Sequence, residues 1–366
     1  MNNAPRTVLA GVYRSRGVVA VEQRLLPQPG PGEVVVEVDY CGVCGSDLHL
    51  IVEGWGTPGD VLGHEWTGVV TEVGAGVGRF AVGDRVLAAD EPRCGSCRAC
   101  LAGLPSQCEN QDPMTGEFDG AFATHVLTTE SRLMAVPDRM DTRTAALAEP
   151  LAVSLHAITR AGIQPRSDVL VQGAGPIGAL AVAALLHEGH RVTVSEPAPR
   201  RVALAGAIGA EVVHPDSLPT FDMSQVDTLA DPAYDAVLDT SGRASAIEVG
   251  FGQLRRGGTL VVVGTGLERP SFDPNRMIVM ELTVRGCFVY DADGFERALE
   301  LLADPRFPVD ELIEETEYGL SSIADAAAAL AEGTHGGKVM IRPGIATGSD
   351  TTAQGAAGRG SRGHDR

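Results

Sequence analysis

The sequence predicts an α/β chain in two parts: a β-rich, partly closed barrel over residues 1–150 and a doubly wound parallel sheet over 151–290. Three observations carry this expectation. Up to Pro150, short β-branched runs alternate with Pro/Gly turns. Beyond it, strands alternate with helices. Soon after the change, Gly173-Ala174-Gly175-Pro176-Ile177-Gly178 stands between a buried strand and a helix. A length of 366 residues suits two domains.

The elements follow in order. VLAGVY, VVAVEQ and VVVEVDY read as strands punctuated by PQPGPGE, since β-branched alternation bounded by Pro and Gly favours strands. TGVVTEVG (67–74), DRVLAA (84–89) and AFATHVLT (121–128) add three more. A helix is expected over 151–162. DVLVQGAGPIGALAVAALLHEGHRVTVSE then reads as strand, glycine turn, helix and strand. AEVV, YDAVLDTSG, GGTLVVVGT and LTVRGCFV continue the strands of a parallel sheet covered on both faces. FERALELLAD and IADAAAALAEG read as helices, and KVMIRP as a last strand. Residues 344–366 are small, polar and aperiodic, and are expected to be disordered.

Charge narrows the partners. The net charge is −19, which repels phosphate backbones and anionic lipid, so neither nucleic acid nor a membrane is expected. No apolar run has the length to cross a bilayer, and the N-terminus lacks a signal-peptide pattern. The expected compartment is the cytoplasm, where thiols stay reduced and open to metal.

Four of the seven cysteines, Cys94, Cys97, Cys100 and Cys108, fall in a C-x2-C-x2-C-x7-C loop. Four thiolates close a tetrahedral zinc site and leave no position for substrate, so this zinc is expected to be structural. Paired disulfides suit small secreted scaffolds rather than a chain of this size.

The glycine turn reads as a dinucleotide site. Gly173 makes the tight turn, Gly175 lets a pyrophosphate approach, and Gly178 lets helix and strand pack closely. Pro176 and Ile177 open the helix, whose free N–H groups face the phosphates. Glu196 ends the next strand, where a carboxylate accepts from a ribose 2′-hydroxyl and repels a 2′-phosphate. NAD is therefore expected over NADP, with Arg200 and Arg201 close behind pulling the other way or simply opening a solvated helix.

Chemistry must lie elsewhere, in CGVCGSDLH (41–49) and GHE (63–65). A cysteine, a histidine and acidic residues in two separated loops suit an open zinc site, which takes three protein ligands and keeps one position free. Cys41 and Cys287 read as buried small residues. His125, His156, His187, His190, His214 and His335 show no ligand spacing. Trp55 reads either as a cleft-lining or a capping aromatic, and Asp90 and Glu91 as polar pocket residues.

G-V-C-G-S-D-x-H, G-H-E, the four-cysteine loop, A-E-P-L and G-A-G-P-I-G occur in one order along residues 6–343. In that order they resemble the zinc-dependent medium-chain dehydrogenases. Glu149-Pro150 and Ser195-Glu196-Pro197 are most similar to the polyol and threonine dehydrogenase branch. The resemblance implies a GroES-like barrel and a Rossmann sheet, with 291–343 returning to the first domain. It implies one catalytic zinc, held by Cys44, His64 and either Glu65 or Glu149, besides the structural one. It makes Ser46 the hydroxyl that takes the substrate proton and His49 the outer end of that relay. It makes Asp47 a group that orients His64, with Lys338 paired to Asp47. The expected cofactor residues are Gly173, Gly175, Pro176, Ile177, Gly178, Glu196 and Arg201. The resemblance also implies a homodimer or homotetramer.

The expected activity is hydride transfer between a secondary, polar alcohol of polyol or amino-alcohol type and NAD, with the ketone as the other small-molecule partner. Two alternatives stay open. One is a primary-alcohol or aldehyde dehydrogenase of the same fold. The other is a zinc-stabilised nucleotide-binding sensor without turnover.

Overall fold

The computed structural model describes residues 6–89, 93–110, 120–222 and 224–345. Asp90, Glu91 and the tail from 346 onward lie outside the described residues.

The first sheet is organised around Glu33–Gly42. Val34, Val35 and Val36 are all buried, so both faces of this strand are covered. It pairs antiparallel with Glu65–Val73, His125–Thr129 and Lys338–Ile341. Arg85–Ala88 and Leu133–Ala135 extend the sheet on one side, and Ile313–Tyr318 closes the other. The hairpin Arg6–Ser15/Val18–Leu26 lies against it through single bridges, Ala10 to Ala123 and Val12 to Val61. One apolar cluster, with Val12, Val36, Ile51, Phe122, Ile323 and Val339, fills the space between.

Among the described residues the second sheet has six strands, all parallel. Their spatial order is Glu211–Val213, Arg191–Ser195, Asp168–Gln172, Tyr234–Asp239, Leu254–Val262 and Thr283–Gly286. Numbered along the chain, that order is 3-2-1-4-5-6. The direction of winding reverses between Asp168–Gln172 and Tyr234–Asp239, and ligands bind outside the carboxyl ends of strands at such a switch point. The helix Pro176–His187 starts there. Gly178 through Leu185 are buried without a break, as expected of a helix wedged between a sheet and a second helix.

That second helix, Ala148–Ala161, begins three residues before the expected 151 and runs through Pro150. Pro150 is tolerated because it falls in the first turn, where no intrahelical partner for its missing N–H is needed. The earlier start places Glu149 on the first turn, beside the first sheet's metal-ligand candidates. Ile313–Tyr318 was not expected as a strand: IEETEY carries three carboxylates, and only Ile313 and Glu314 are buried.

Candidate active site

The helix Gly45–Ile51 presents the first group of candidate residues. Cys44 is its N-cap, and Asp47, in the third helical position, accepts from the Cys44 N–H at 2.9 Å. A carboxylate reaching back to the cap N–H fixes how the chain enters the helix. Cys44 and Ser46 thereby share one braced turn. Glu65 opens the strand Glu65–Val73, with His64 just before it.

The folded chain brings the Cys44 sulfur, a His64 ring nitrogen and a Glu65 carboxylate oxygen within 4.8 Å of one another. Glu149 stands outside this trio, but its charge acts on His64 and Lys338. Acidic groups crowd the spot, and burial and charge both act on them. Burial opposes protonation of His64, yet the charges of Cys44, Asp47 and Glu149 hold the imidazole well above its ordinary value. Burial pushes Glu149 up to about 7, with Glu65 adding to the effect and His64 and Lys338 opposing it. Burial likewise raises Asp47. A thiol, an imidazole and carboxylates gathered at one partly buried spot make a donor set that fits Zn²⁺.

Lys338 differs from expectation. Its ammonium donates to both Glu65 oxygens, at 2.6 and 2.8 Å, and to the Val43 carbonyl at 3.3 Å, rather than pairing with Asp47. The reason is register. Lys338 starts the strand Lys338–Ile341, and Gly42, the last residue of the adjacent Glu33–Gly42, leaves the Glu65 carboxylate room. A Cβ at Gly42 would lie 2.3 Å from that carboxylate. Asp47 instead serves the Cys44 backbone.

His49 is not part of the trio. Its Nδ1 lies 2.9 Å from Glu53 Oε2, its Nε2 lies 2.7 Å from Thr265 Oγ1, and its ring stacks on Trp55 at 4.9 Å and 14°. Thr265 follows the carboxyl end of Leu254–Val262, so the helix carrying Cys44 and Ser46 faces the carboxyl ends of the parallel strands. Sequence reasoning missed both Glu53 and Thr265. Thr265 lies 216 residues from His49 and gave no local signal.

At the glycine turn, a Cβ on Gly178 would fall 2.0 Å from the Gly173 carbonyl and 2.6 Å from Thr240 Oγ1. Only glycine permits that approach of helix to strand. Gly175 is the N-cap and Pro176 the first residue of the helix, with Ile177 next. Glu196 is buried, and its two oxygens accept from Ala174 N–H and Ala198 N–H, both at 2.8 Å. Its carboxylate thus also braces the turn it was expected only to face. Arg201 donates to the carbonyls of Leu330 and His335, at 2.6 and 3.5 Å, and Arg200 pairs with Glu314 at 3.3 Å. Both arginines fasten the second sheet's helix Pro199–Ala207 to the segment 314–335, and neither is a purely solvated helix start.

Cys94, Cys97, Cys100 and Cys108 gather with their sulfurs within 4.8 Å and no disulfide among them. Backbone N–H groups point at the sulfurs: Cys97 to Cys94 and Cys100 to Cys97, both at 3.4 Å. Such donors favour thiolates, and those of Ser96 and Cys97, with the Asn110 amide, pull Cys94 down to about 5. Burial and the neighbouring sulfurs push the Cys100 thiol the other way, up to about 12, a conflict that a cation at the centre of four such close sulfurs relieves.

Comparison with known proteins agrees with this geometry. Residues 30–138 match the alcohol dehydrogenase GroES-like domain family, and residues 176–304 the zinc-binding dehydrogenase family. A sorbitol dehydrogenase of Bacillus subtilis (strain 168) is 31% identical over 342 residues, covering 89% of this chain and 94% of its own. Among solved structures, L-idonate 5-dehydrogenase of Escherichia coli K-12 superposes with TM-score 0.80 at 27% identity, covering 93% of this chain and 100% of its own. A Sinorhizobium meliloti 1021 chain with NADP bound gives TM-score 0.81 at 29% identity, covering 92% and 100%. Among the described residues no helix is long and apolar enough to cross a membrane.

Proposed function

We propose a specific reaction for this chain, which belongs to the zinc-dependent medium-chain dehydrogenases: it oxidises a secondary carbinol of a polyhydroxy substrate with NAD. One observation carries the reading. The Cys44, His64 and Glu65 trio and the glycine turn lie in different halves of the chain, yet the 2.7 Å contact of His49 with Thr265 sets the helix carrying Cys44 against the carboxyl ends of the parallel strands. Relatives acting on sorbitol and L-idonate share a substrate type, a chain of adjacent hydroxyl carbons.

Zinc supplies Lewis acidity that acidifies an alcohol hydroxyl, and the nicotinamide accepts a hydride. The chain's own residues do the rest. Cys44, His64 and one of Glu65 or Glu149 hold the catalytic zinc, and Asp47 braces the cap carrying Cys44. Ser46 stands two residues after Cys44, within reach of a substrate hydroxyl, and accepts its proton. His49 passes that proton outward. Gly173, Gly175, Pro176, Ile177 and Gly178 hold the pyrophosphate, Glu196 the adenosine ribose, and Arg201 flanks the turn. Cys94, Cys97, Cys100 and Cys108 hold a second, structural zinc.

Residues 1–150 with 291–343 form the catalytic domain in this reading, and 151–290 the nucleotide domain. The nucleotide sheet ends on Thr283–Gly286, an edge strand with exposed Ile278 and Phe288 beside it. Unpaired strand edges recruit partners, and we infer a homodimer or homotetramer that pairs here. A mass of two or four times 38.1 kDa by light scattering is the expected result.

The test is a panel of polyols, threonine, simple secondary alcohols and primary alcohols, offered with NAD⁺ or NADP⁺ to zinc-replete protein and followed by absorbance. Polyols with NAD⁺ are expected to give the highest kcat/KM. Preference for primary alcohols overturns the substrate reading. NADH binding without any alcohol-dependent turnover favours the sensor.

A further inference from the structure

His49 is held at every point where an imidazole can be held. Glu53 meets Nδ1, Thr265 meets Nε2, and the Trp55 indole covers one face. An exposed i,i+4 histidine–carboxylate pair alone is ordinary helix decoration that contributes little. Here the second nitrogen is fixed by a residue from the other sheet, and the ring itself is mostly enclosed while Glu53 reaches solvent.

The geometry points to Glu53 as a positioning residue for proton transfer: it fixes the His49 tautomer so that Nε2 faces the cleft as the acceptor. This rests on the dehydrogenase reading above. An ionised carboxylate only accepts, so the nitrogen facing Glu53 must carry the hydrogen. A neutral imidazole has one N–H, so Nε2 is left with its lone pair, directed at Thr265 Oγ1. The Thr265 hydroxyl donates to it and keeps its own lone pairs for an incoming donor. Without Glu53 the ring is free to place its hydrogen on Nε2, and the acceptor facing the cleft is lost.

The balance of the step is simple. The alcohol loses a hydride to the nicotinamide and a proton to the relay. Nε2 takes the proton, giving an imidazolium paired to the Glu53 carboxylate. Once the ketone has left, that imidazolium returns its Nε2 proton to water in the opened cleft, and the ring is again the neutral Nδ1–H tautomer held by Glu53. Ketone, NADH and one proton are the products.

Nitrogen-15 NMR of histidine-labelled, zinc-replete protein tests the tautomer directly, with the His49 signals assigned by their loss in His49→Gln. The expected result is a protonated Nδ1 and an unprotonated Nε2 in the wild type, with that preference lost in Glu53→Ala. A wild-type His49 protonated on Nε2 overturns the proposal, whatever the enzyme's activity. In turnover, Glu53→Ala is expected to lower kcat about tenfold with KM nearly unchanged, part of the ~10²–10⁴ that general acid–base catalysis contributes. In the His49→Gln background the same substitution is expected to cost nothing further; an equal loss there overturns the proposal. A wild type that turns over no alcohol refutes the dehydrogenase reading instead, and the tautomer measurement still judges Glu53.

Discussion

Lys338, the only lysine in the chain, is buried with its ammonium on both oxygens of Glu65, a residue 273 positions away. The pair decides what Glu65 can do. While the ammonium holds both oxygens, the carboxylate is neutralised without metal. Lys338→Met is expected to leave a buried carboxylate unpaired and to cost about 3–5 kcal/mol, the usual result of removing one partner from a buried pair. Zinc is expected to recover part of that loss by offering Glu65 another cation. Urea denaturation of both proteins, with zinc and after chelation, measures it. An equal loss in both conditions contradicts the coupling.

The two proposed metals have separable roles. Cys44→Ala is expected to leave a folded protein with one zinc per chain and no turnover. Cys97→Ala is expected to lose the other zinc and chiefly lower stability, since structural zinc contributes ~10–16 kcal/mol apparent in small peptides. Metal analysis with thermal melts checks this. The wild type is expected to hold two zinc ions per chain; near zero in an active preparation refutes the assignment.

Glu196 carries two duties in this account, so its substitution does more than change cofactor preference. Glu196→Ala leaves the Ala174 and Ala198 N–H groups without their acceptor. The unpaired buried Ala174 donor costs about 1–3 kcal/mol, and the partly exposed Ala198 donor less. Weaker NADH binding, a lower Tm and a smaller NADH-over-NADPH preference are expected together. Fluorescence titration with both nucleotides and a melt decide it. A clean switch to NADPH at unchanged Tm shows that the bracing bonds contribute nothing.

Glu314 fastens the two sheets. Burial works to raise its pKa, but the N–H groups of Gly337 and Gly336, with His335 and Arg200, hold the carboxyl below the ordinary glutamate range. A depressed folded-state pKa gives stability that is present above the unfolded value and lost as pH falls through the folded one. Glu314→Gln is therefore expected to destabilise by about 1–3 kcal/mol at neutral pH. The gap from wild type is expected to close in acid, below the ordinary glutamate range. Urea melts across that range measure the gap, and a pH-independent gap counts against the ionic account.

Legibility in the sequence tracked sequence distance. The four-cysteine loop and the glycine turn are local, with every member inside one short segment, and spacing alone revealed them. The strands of the parallel sheet declared themselves because burial on both faces demands apolar runs. Lys338 was visible as a basic residue, but its partner was set by the register of two strands from opposite ends of the chain. Thr265 reaches His49 only through the meeting of the two sheets. Ile313–Tyr318 escaped because an edge strand buries little, so its carboxylates hid the pattern. Helix Ala148–Ala161 began early because Pro150, read as a boundary, is compatible with a first turn.

The central claim is direct hydride transfer from a substrate carbinol carbon to NAD at a site built by Cys44. A polyol deuterated at the oxidised carbon, turned over by zinc-replete protein, tests it most directly. Proton NMR of the recovered NADH reads the label. The account predicts one deuterium at C4 of the nicotinamide, on a single face, and none from Cys44→Ala under the same conditions. NADH formed without deuterium, or equal labelling by Cys44→Ala, contradicts it.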